Sequence, residues 1–294
     1  MTPILEVQHL RKEYRTLVAV ADISFQIPAG ICFGLLGPNG AGKTTTIEMI
    51  EGITRPTSGA IFYKGLARNK DFSSQAGIQF QSTSIMEKLK AREILELFRG
   101  LYPKTMPADE LIELCDLEQL LEQEATKLSG GQKQRLMFAL ALINDPEIVF
   151  LDEPTSGLDP QARRNLWKLI ERIKARGKNV LLTTHHMEEA EILCDHLIII
   201  DHGRIIAEGS PNALLKQHFG YFYVCIDKSD MPVEVRQFEP GTREHNDHYE
   251  IQSPSVEDTL QMLMHKGVRL NSLRVRQPTL EDLFLKLTGH SLRD

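Results

Sequence analysis

An almost wholly apolar run, Ile31 to Leu36, leads without a break into Gly37-Pro-Asn-Gly-Ala-Gly-Lys-Thr44. A run that is apolar at successive positions suits a strand buried on both faces, and helical spacing from Lys43 to Ile50 follows it. Strand, glycine-rich turn and helix in immediate succession fit a parallel sheet covered by helices. The turn matches G-x-x-x-x-G-K-[ST], whose glycines let backbone N–H groups turn inward around a phosphate. On this reading Gly37, Pro38, Asn39, Gly40, Ala41, Gly42, Lys43, Thr44 and Thr45 form the anion cradle. Lys43 bridges the β- and γ-phosphates of a nucleotide, and Thr44 offers its hydroxyl to Mg²⁺. The helix that starts there points its positive end at the anion.

The flanking pattern supplies the rest of that sheet. Ile148 to Leu151, Val180 to Thr184 and Leu197 to Asp201 read as short apolar strands, with helices over Ala162 to Ala175 and Met187 to Leu193 between them. Ahead of the cradle, Leu5 to Leu10 and Ile23 to Ile27 alternate in polarity, as in a half-exposed antiparallel layer. Helical spacing over Ala91 to Arg99, Asp109 to Cys115 and Gly131 to Leu142 marks a helical subdomain at about 85–145. Beyond residue 219 the character changes. Strand-like Tyr221 to Ile226, Tyr249 to Ile251 and Val268 to Val275 alternate with helical Val256 to Met264 and Leu280 to Leu287, giving a small α+β domain over 220–294. Leu260, Leu263 and Met264 are expected in its core.

Asp152 ends the strand Ile148 to Leu151, where parallel strands face a ligand crevice, and is expected to hold Mg²⁺. Glu153 follows it, placed to polarise water for in-line attack on a phosphoryl group. Between cradle and carboxylates lies Leu128-Ser-Gly-Gly-Gln132. The Ser129 hydroxyl, the unhindered N–H groups of Gly130 and Gly131 and the positive end of the following helix make a second anion surface. Ser129 also serves as that helix's N-cap.

Composition narrows the surroundings. A net charge of -6 argues against a nucleic-acid surface. Cys32, Cys115, Cys194 and Cys225 are far apart, which suits reduced thiols, with Cys32 and Cys194 as small core residues. No segment approaches the about 20 apolar residues that span a bilayer, and the N-terminus lacks a signal-peptide pattern. Any link to a membrane then runs through another polypeptide.

Together these motifs resemble the nucleotide-binding subunits of ABC transporters, over about residues 4 to 215. The family's order is cradle, glutamine loop, LSGGQ signature at Leu128 to Gln132, Ile148 to Glu153, Ser156-Gly-Leu-Asp159 and a switch histidine. The resemblance implies a P-loop NTPase (RecA-like) α/β core with an antiparallel β layer and a helical subdomain. It implies that Tyr14 stacks on adenine, that His185 contacts the γ-phosphate while His186 lies at the surface, and that a glutamine touches Mg²⁺ or the attacking water. Gln79 and Gln81 compete for that place, and the family spacing from Gly77 favours Gln81. It further implies that Ser129, Gly130, Gly131, Gln132 and Asp159 meet the ATP of an opposing subunit, a second copy or a homologous ATPase subunit. The whole is then a nucleotide-sandwich dimer, with Met86 to Glu93 in the surface that docks a membrane partner.

The tail, Gln277 to Gly289, resembles the endings of drug-resistance, nodulation-type and polysaccharide exporter ATPases that serve a separate ABC type-2 permease. The resemblance therefore implies a cytoplasmic ATPase on the inner face of the membrane that powers export. An importer ATPase, and an ABC-type ATPase acting on nucleic acid or ribosomes, stand as alternatives. The chain has one cassette and a short cradle-to-signature interval, unlike the usual nucleic-acid and ribosomal forms.

Overall fold

The computed structural model describes residues 2–69, 71–80, 86, 88–231 and 241–289. The chain divides into two compact units, the first ending at Pro211 and the second starting at Asn212.

In the first unit, β1 (Leu5–Tyr14) and β2 (Leu17–Ile27) pair antiparallel. Both are longer than the polarity pattern implied, because register shifts between Val7 and Leu10 and between Lys12 and Glu13 break the alternation that marks a strand. β3 (Cys32–Leu36), buried at every position, runs into the cradle and α1 (Lys43–Glu51). β4 (Ser58–Tyr63) and β5 (Leu66–Ala67) complete an antiparallel sheet in the order β2-β1-β4-β5.

A short α2 (Phe72–Gln75) leads into β6 (Ala76–Gln79). The helical segment follows as α3 (Ala91–Arg99), α4 (Ala108–Leu114) and α5 (Gly130–Leu142). Then come β7 (Ile148–Asp152), α6 (Pro160–Ala175), β8 (Asn179–Thr184), α7 (Met187–Leu193), β9 (His196–Asp201) and β10 (Arg204–Gly209). The second sheet has the order β10-β9-β3-β8-β7-β6, parallel from β9 to β6 with β10 as an antiparallel edge. The strands that carry the cradle, Asp152 and the Thr184–His185 step are therefore neighbours. Their shared face with the antiparallel layer is filled by one core that includes Leu10, Phe25, Phe33, Ile47, Phe150 and Ile198. Among the described residues no helix is long and apolar enough to cross a membrane.

The second unit holds α8 (Pro211–His218) except its first residue, then β11 (Phe222–Asp227), β12 (Thr242–Glu244), β13 (His248–Ser253), α9 (Val256–His265), β14 (Arg274–Arg276) and α10 (Leu280–Thr288). Its sheet runs β12-β13-β11-β14 around a separate core of Val224, Ile226, Tyr249, Ile251 and Leu263. Two expectations change here. The strand expected from Val268 is confined to Arg274–Arg276, since Val268 turns back into the core behind Gly267 at φ +71°. Met264 is exposed, because the helix turns it away from the face that buries Leu263.

Candidate functional site

The cradle is closed by backbone. A Cβ on Gly37 would lie 2.2 Å from the Ile200 carbonyl oxygen and one on Gly42 2.4 Å from that of Ala19, so a side chain at either would displace a strand. Gly42, at φ +105°, is also the N-cap of α1. Lys43 folds back beneath the loop, 4% exposed, and its Nζ donates to the carbonyls of Gly37 (2.8 Å) and Pro38 (3.1 Å). Burial lowers its pKa, and the nearby Glu153 carboxylate opposes that effect.

Glu153 Oε1 lies 3.5 Å from Lys43 Nζ, and its Oε2 lies 3.2 Å from His185 Nδ1. The His185 contact is close but not aligned as a hydrogen bond. Glu153 is buried and holds φ +47°, a left-handed conformation that costs a side-chain-bearing residue about 1–3 kcal/mol. Its N–H is pinned to the carbonyl (3.1 Å) and hydroxyl (3.0 Å) oxygens of Thr183. That same hydroxyl donates to Asp152 Oδ1. Burial raises the Asp152 pKa, while hydrogen bonds from Thr183 and Thr44 and the Lys43 charge lower it. The Thr44 hydroxyl and the Asp152 carboxylate thus face one another, an oxygen donor set that suits a hard divalent cation. His186 packs its ring 4.1 Å from that of His185, and burial followed by the His185 and Arg163 charges lowers its pKa. Both histidines are half-buried, so His186 is not the surface residue expected of it.

A cleft of about 350 Å³ opens over the cradle, lined by Asn39, Gly40, Gly42, Lys43, Thr44, Thr45 and Glu153 together with Tyr14. Tyr14 is 43% exposed, with Lys12 Nζ 4.8 Å from its ring centre. Leu17, Val18 and His202 also line this cleft and were not anticipated. His202, at φ +46° in the β9–β10 turn, carries no motif that would single it out.

The signature residues do not line the cleft. Ser129 and Gly130 are exposed at the start of α5. Ser129 Oγ accepts from Gln132 N (3.3 Å), and Gln132 Oε1 accepts in return from Ser129 N (2.8 Å), a reciprocal cap that gives Gln132 a structural task. Asp159 is exposed too and caps α6, its Oδ1 accepting from Gln161 and Ala162 N–H, both at 2.9 Å. These helix starts touch: a Cβ on Gly131 would come 2.7 Å from that of Ala162. Gln81 lies outside the described residues. Gln79, at the end of β6, is buried with neither end of its amide hydrogen-bonded.

Next to β6 an apolar groove of about 350 Å³ is lined by Ile78, Phe80, Met86, Phe98, Tyr102 and Met137. In the second unit Cys225, His248 and Glu250 gather with metal-capable atoms within 4.8 Å of one another. There Arg276 already answers Glu250 Oε1 at 2.6 Å, so a cation occupies that carboxylate.

Phosphate cradle, strand-end carboxylates and a cleft at the carboxyl ends of a parallel sheet define a nucleotide-hydrolysing α/β enzyme. Residues 20–156 match the ABC transporter family. The chain is 39% identical to the Nod factor export ATP-binding protein I of Ralstonia nicotianae, over 100% of this chain and 96% of that protein. Among solved structures it resembles an ATP-binding subunit of an ABC transporter (31% identity, TM-score 0.64, covering 73% of this chain and 93% of that one). It also resembles a dimeric ATP-binding cassette in a post-hydrolysis state with ADP and Pi (25% identity, TM-score 0.63, covering 70% and 98%). The chain belongs to the ATP-binding subunits of ABC transporters, a family of ATP-hydrolysing cassettes that work as dimers with membrane permeases.

Proposed function

We propose that the chain hydrolyses Mg-ATP in a head-to-tail dimer and thereby powers export through a separate ABC type-2 permease. The observation that carries this reading is the separation of the cleft from the exposed signature surface on one chain. A cleft walled on one side by Lys43 and Glu153 leaves the opposite side of a bound triphosphate to be covered. Ser129, Gly130, Gly131 and the start of α5, offered by a second copy, have the chemistry to cover it.

In this mechanism Lys43 exchanges its loop carbonyls for the β- and γ-phosphate oxygens. Thr44 and Asp152 would hold Mg²⁺, with Gln81 proposed as a further ligand, and the ion when bound would supply charge neutralisation at the transferring phosphoryl group. Glu153, freed of the Lys43 ammonium, accepts a proton from the attacking water. His185 holds the γ-phosphate side of the site, Tyr14 stacks on the base, and Asp159 lies at the seam between copies. Hydrolysis breaks the bond between the γ-phosphorus and the bridging oxygen and releases ADP and phosphate.

Export is supported by likeness to a Nod factor export protein along the full chain, including the tail. The apolar groove beside β6, with Met86 at its edge, is the surface assigned to the permease. It would hold the chain at the cytoplasmic face of the membrane. The second unit, with a core of its own, is assigned as an accessory domain.

The direct test is Glu153→Gln. It should bind ATP, fail to turn it over and accumulate as a dimer on size exclusion. Hydrolysis at the wild-type rate would remove Glu153 from the role of base.

A further inference from the structure

Behind His185 the first unit buries a polar group that this chemistry does not use. Glu189, on α7, has no exposed surface, and its Oε1 accepts a 2.9 Å hydrogen bond from Trp167 Nε1 of α6. Its Oε2 has no aligned hydrogen bond, and the same is true of two other buried atoms, Thr155 Oγ1 and Arg163 Nε. Burial raises the Glu189 pKa, and the side chains of Thr184, Trp167 and Thr155, all within hydrogen-bonding reach of the carboxylate, oppose that effect, as does the Arg163 charge. A buried carboxylate whose neighbouring hydroxyl and guanidinium come within reach without aligned hydrogen bonds is a costly arrangement for packing alone, since an apolar residue would serve better. It is also an arrangement that a small shift can complete.

The positions of these residues say what such a shift would connect. Thr155 follows Glu153 at the entry to the loop that ends in Asp159. Arg163 donates its backbone N–H to the Asp159 carbonyl at 3.0 Å. Gly131 of the signature helix presses on Ala162, the residue before Arg163. On the other side, the Thr184 hydroxyl accepts from His186 N at 2.9 Å at the head of the helix that carries Glu189. Signature, α6, Glu189 and the His185 step are thus in continuous contact, which is the physical requirement for coupling two surfaces.

We propose that Glu189 is a positioning residue that couples the exposed signature and Asp159 surface to His185. Closure of a second copy on that surface brings the Thr155–Arg163 segment into alignment with Glu189 Oε2. The completed network then fixes the start of α7, and with it His185, over the cradle. This inference rests on the dimeric mechanism proposed above.

Trp167 is the single tryptophan of the chain, so its emission reports this contact directly. Glu189→Ala should lower kcat for ATP at least about tenfold while KM changes less than about twofold. Glu189→Gln keeps an acceptor for Trp167 but loses the charge, so it should retain the wild-type emission maximum and recover only part of kcat. In a Glu153→Gln background, ATP should shift Trp167 emission as dimers form, and adding Ser129→Arg should abolish the shift. If Glu189→Ala does not fold, Glu189→Gln and Trp167→Phe carry the kinetic test. A kcat for Glu189→Gln equal to wild type, or dimer formation with unchanged Trp167 emission, overturns the proposal while leaving the dimeric mechanism standing. Failure of Glu153→Gln to dimerise with ATP overturns both.

Discussion

The two glycine-bearing segments that precede helices α1 and α5 are built in opposite ways. The cradle turns inward: its glycines sit against strand backbone, and its lysine is buried against loop carbonyls and a carboxylate. The signature turns outward: Ser129 is exposed and its hydroxyl is occupied by the cap it forms with Gln132. The difference teaches that one copy can hold a triphosphate but leaves it uncovered on one side. Disrupting the inward segment should therefore abolish binding, and disrupting the outward one should abolish turnover alone.

Lys43→Ala gives the largest effect. It removes the ammonium from two buried carboxylates as well as from the ligand, and should weaken ATP binding by about 3–5 kcal/mol in titration calorimetry. Ser129→Arg should reduce turnover about a hundredfold, by blocking closure, while the ATP affinity of the monomer stays within about threefold of wild type. A hundredfold loss of affinity in that variant would show that the two segments are not independent.

Glu51, at the end of α1, tests how much crowding the inward side tolerates. Burial first, then the Asp152 and Glu48 charges, push its pKa up from 4.5 to about 8. The unfolded chain releases this proton earlier than the native one, so stability falls as pH rises from about 4.5 to about 8. Glu51→Gln should therefore match wild type near pH 4 and be more stable by about 2–4 kcal/mol above pH 8, read from urea midpoints across that window. Tyr14→Ala should have the smallest effect. Its ring is half out of the cleft, and loss of a base stack should weaken ATP by about 1 kcal/mol without changing kcat.

Much of this was legible in the sequence. β3, α1 and the catalytic-side strand β7 announce themselves because burial on both faces leaves no alternative to apolar residues, and the cradle's glycines answer to contacts any such turn must make. The antiparallel layer was less legible: bulges, with left-handed residues such as His9 and Asp22, offset the two-residue period on which strand reading depends. Gln132 and Asp159 read from the motif as residues of the interface between copies, whereas each also caps a helix, a task that many polar residues share and that spacing alone does not separate from binding. His202 reaches the cleft because β9 and β10 form a hairpin whose turn projects there, a fact of tertiary placement that its own neighbours in sequence do not encode. In the second unit the run from Val268 looked continuous, but its hydrophobicity serves core contacts from a loop before the brief pairing at Arg274–Arg276.

The left-handed backbone at Glu153 carries a consequence for how this chain can be altered. Glycine would relax that conformation but would also strip the buried Lys43 ammonium of its carboxylate, so the backbone and the ion pair pull in opposite directions at position 153. A variant library can therefore separate the two only where the lysine changes as well, and a screen for transport will retain the strained residue with its partner. The strain at position 153 is thus tied to the charge beneath the cradle, and the two residues evolve as one unit.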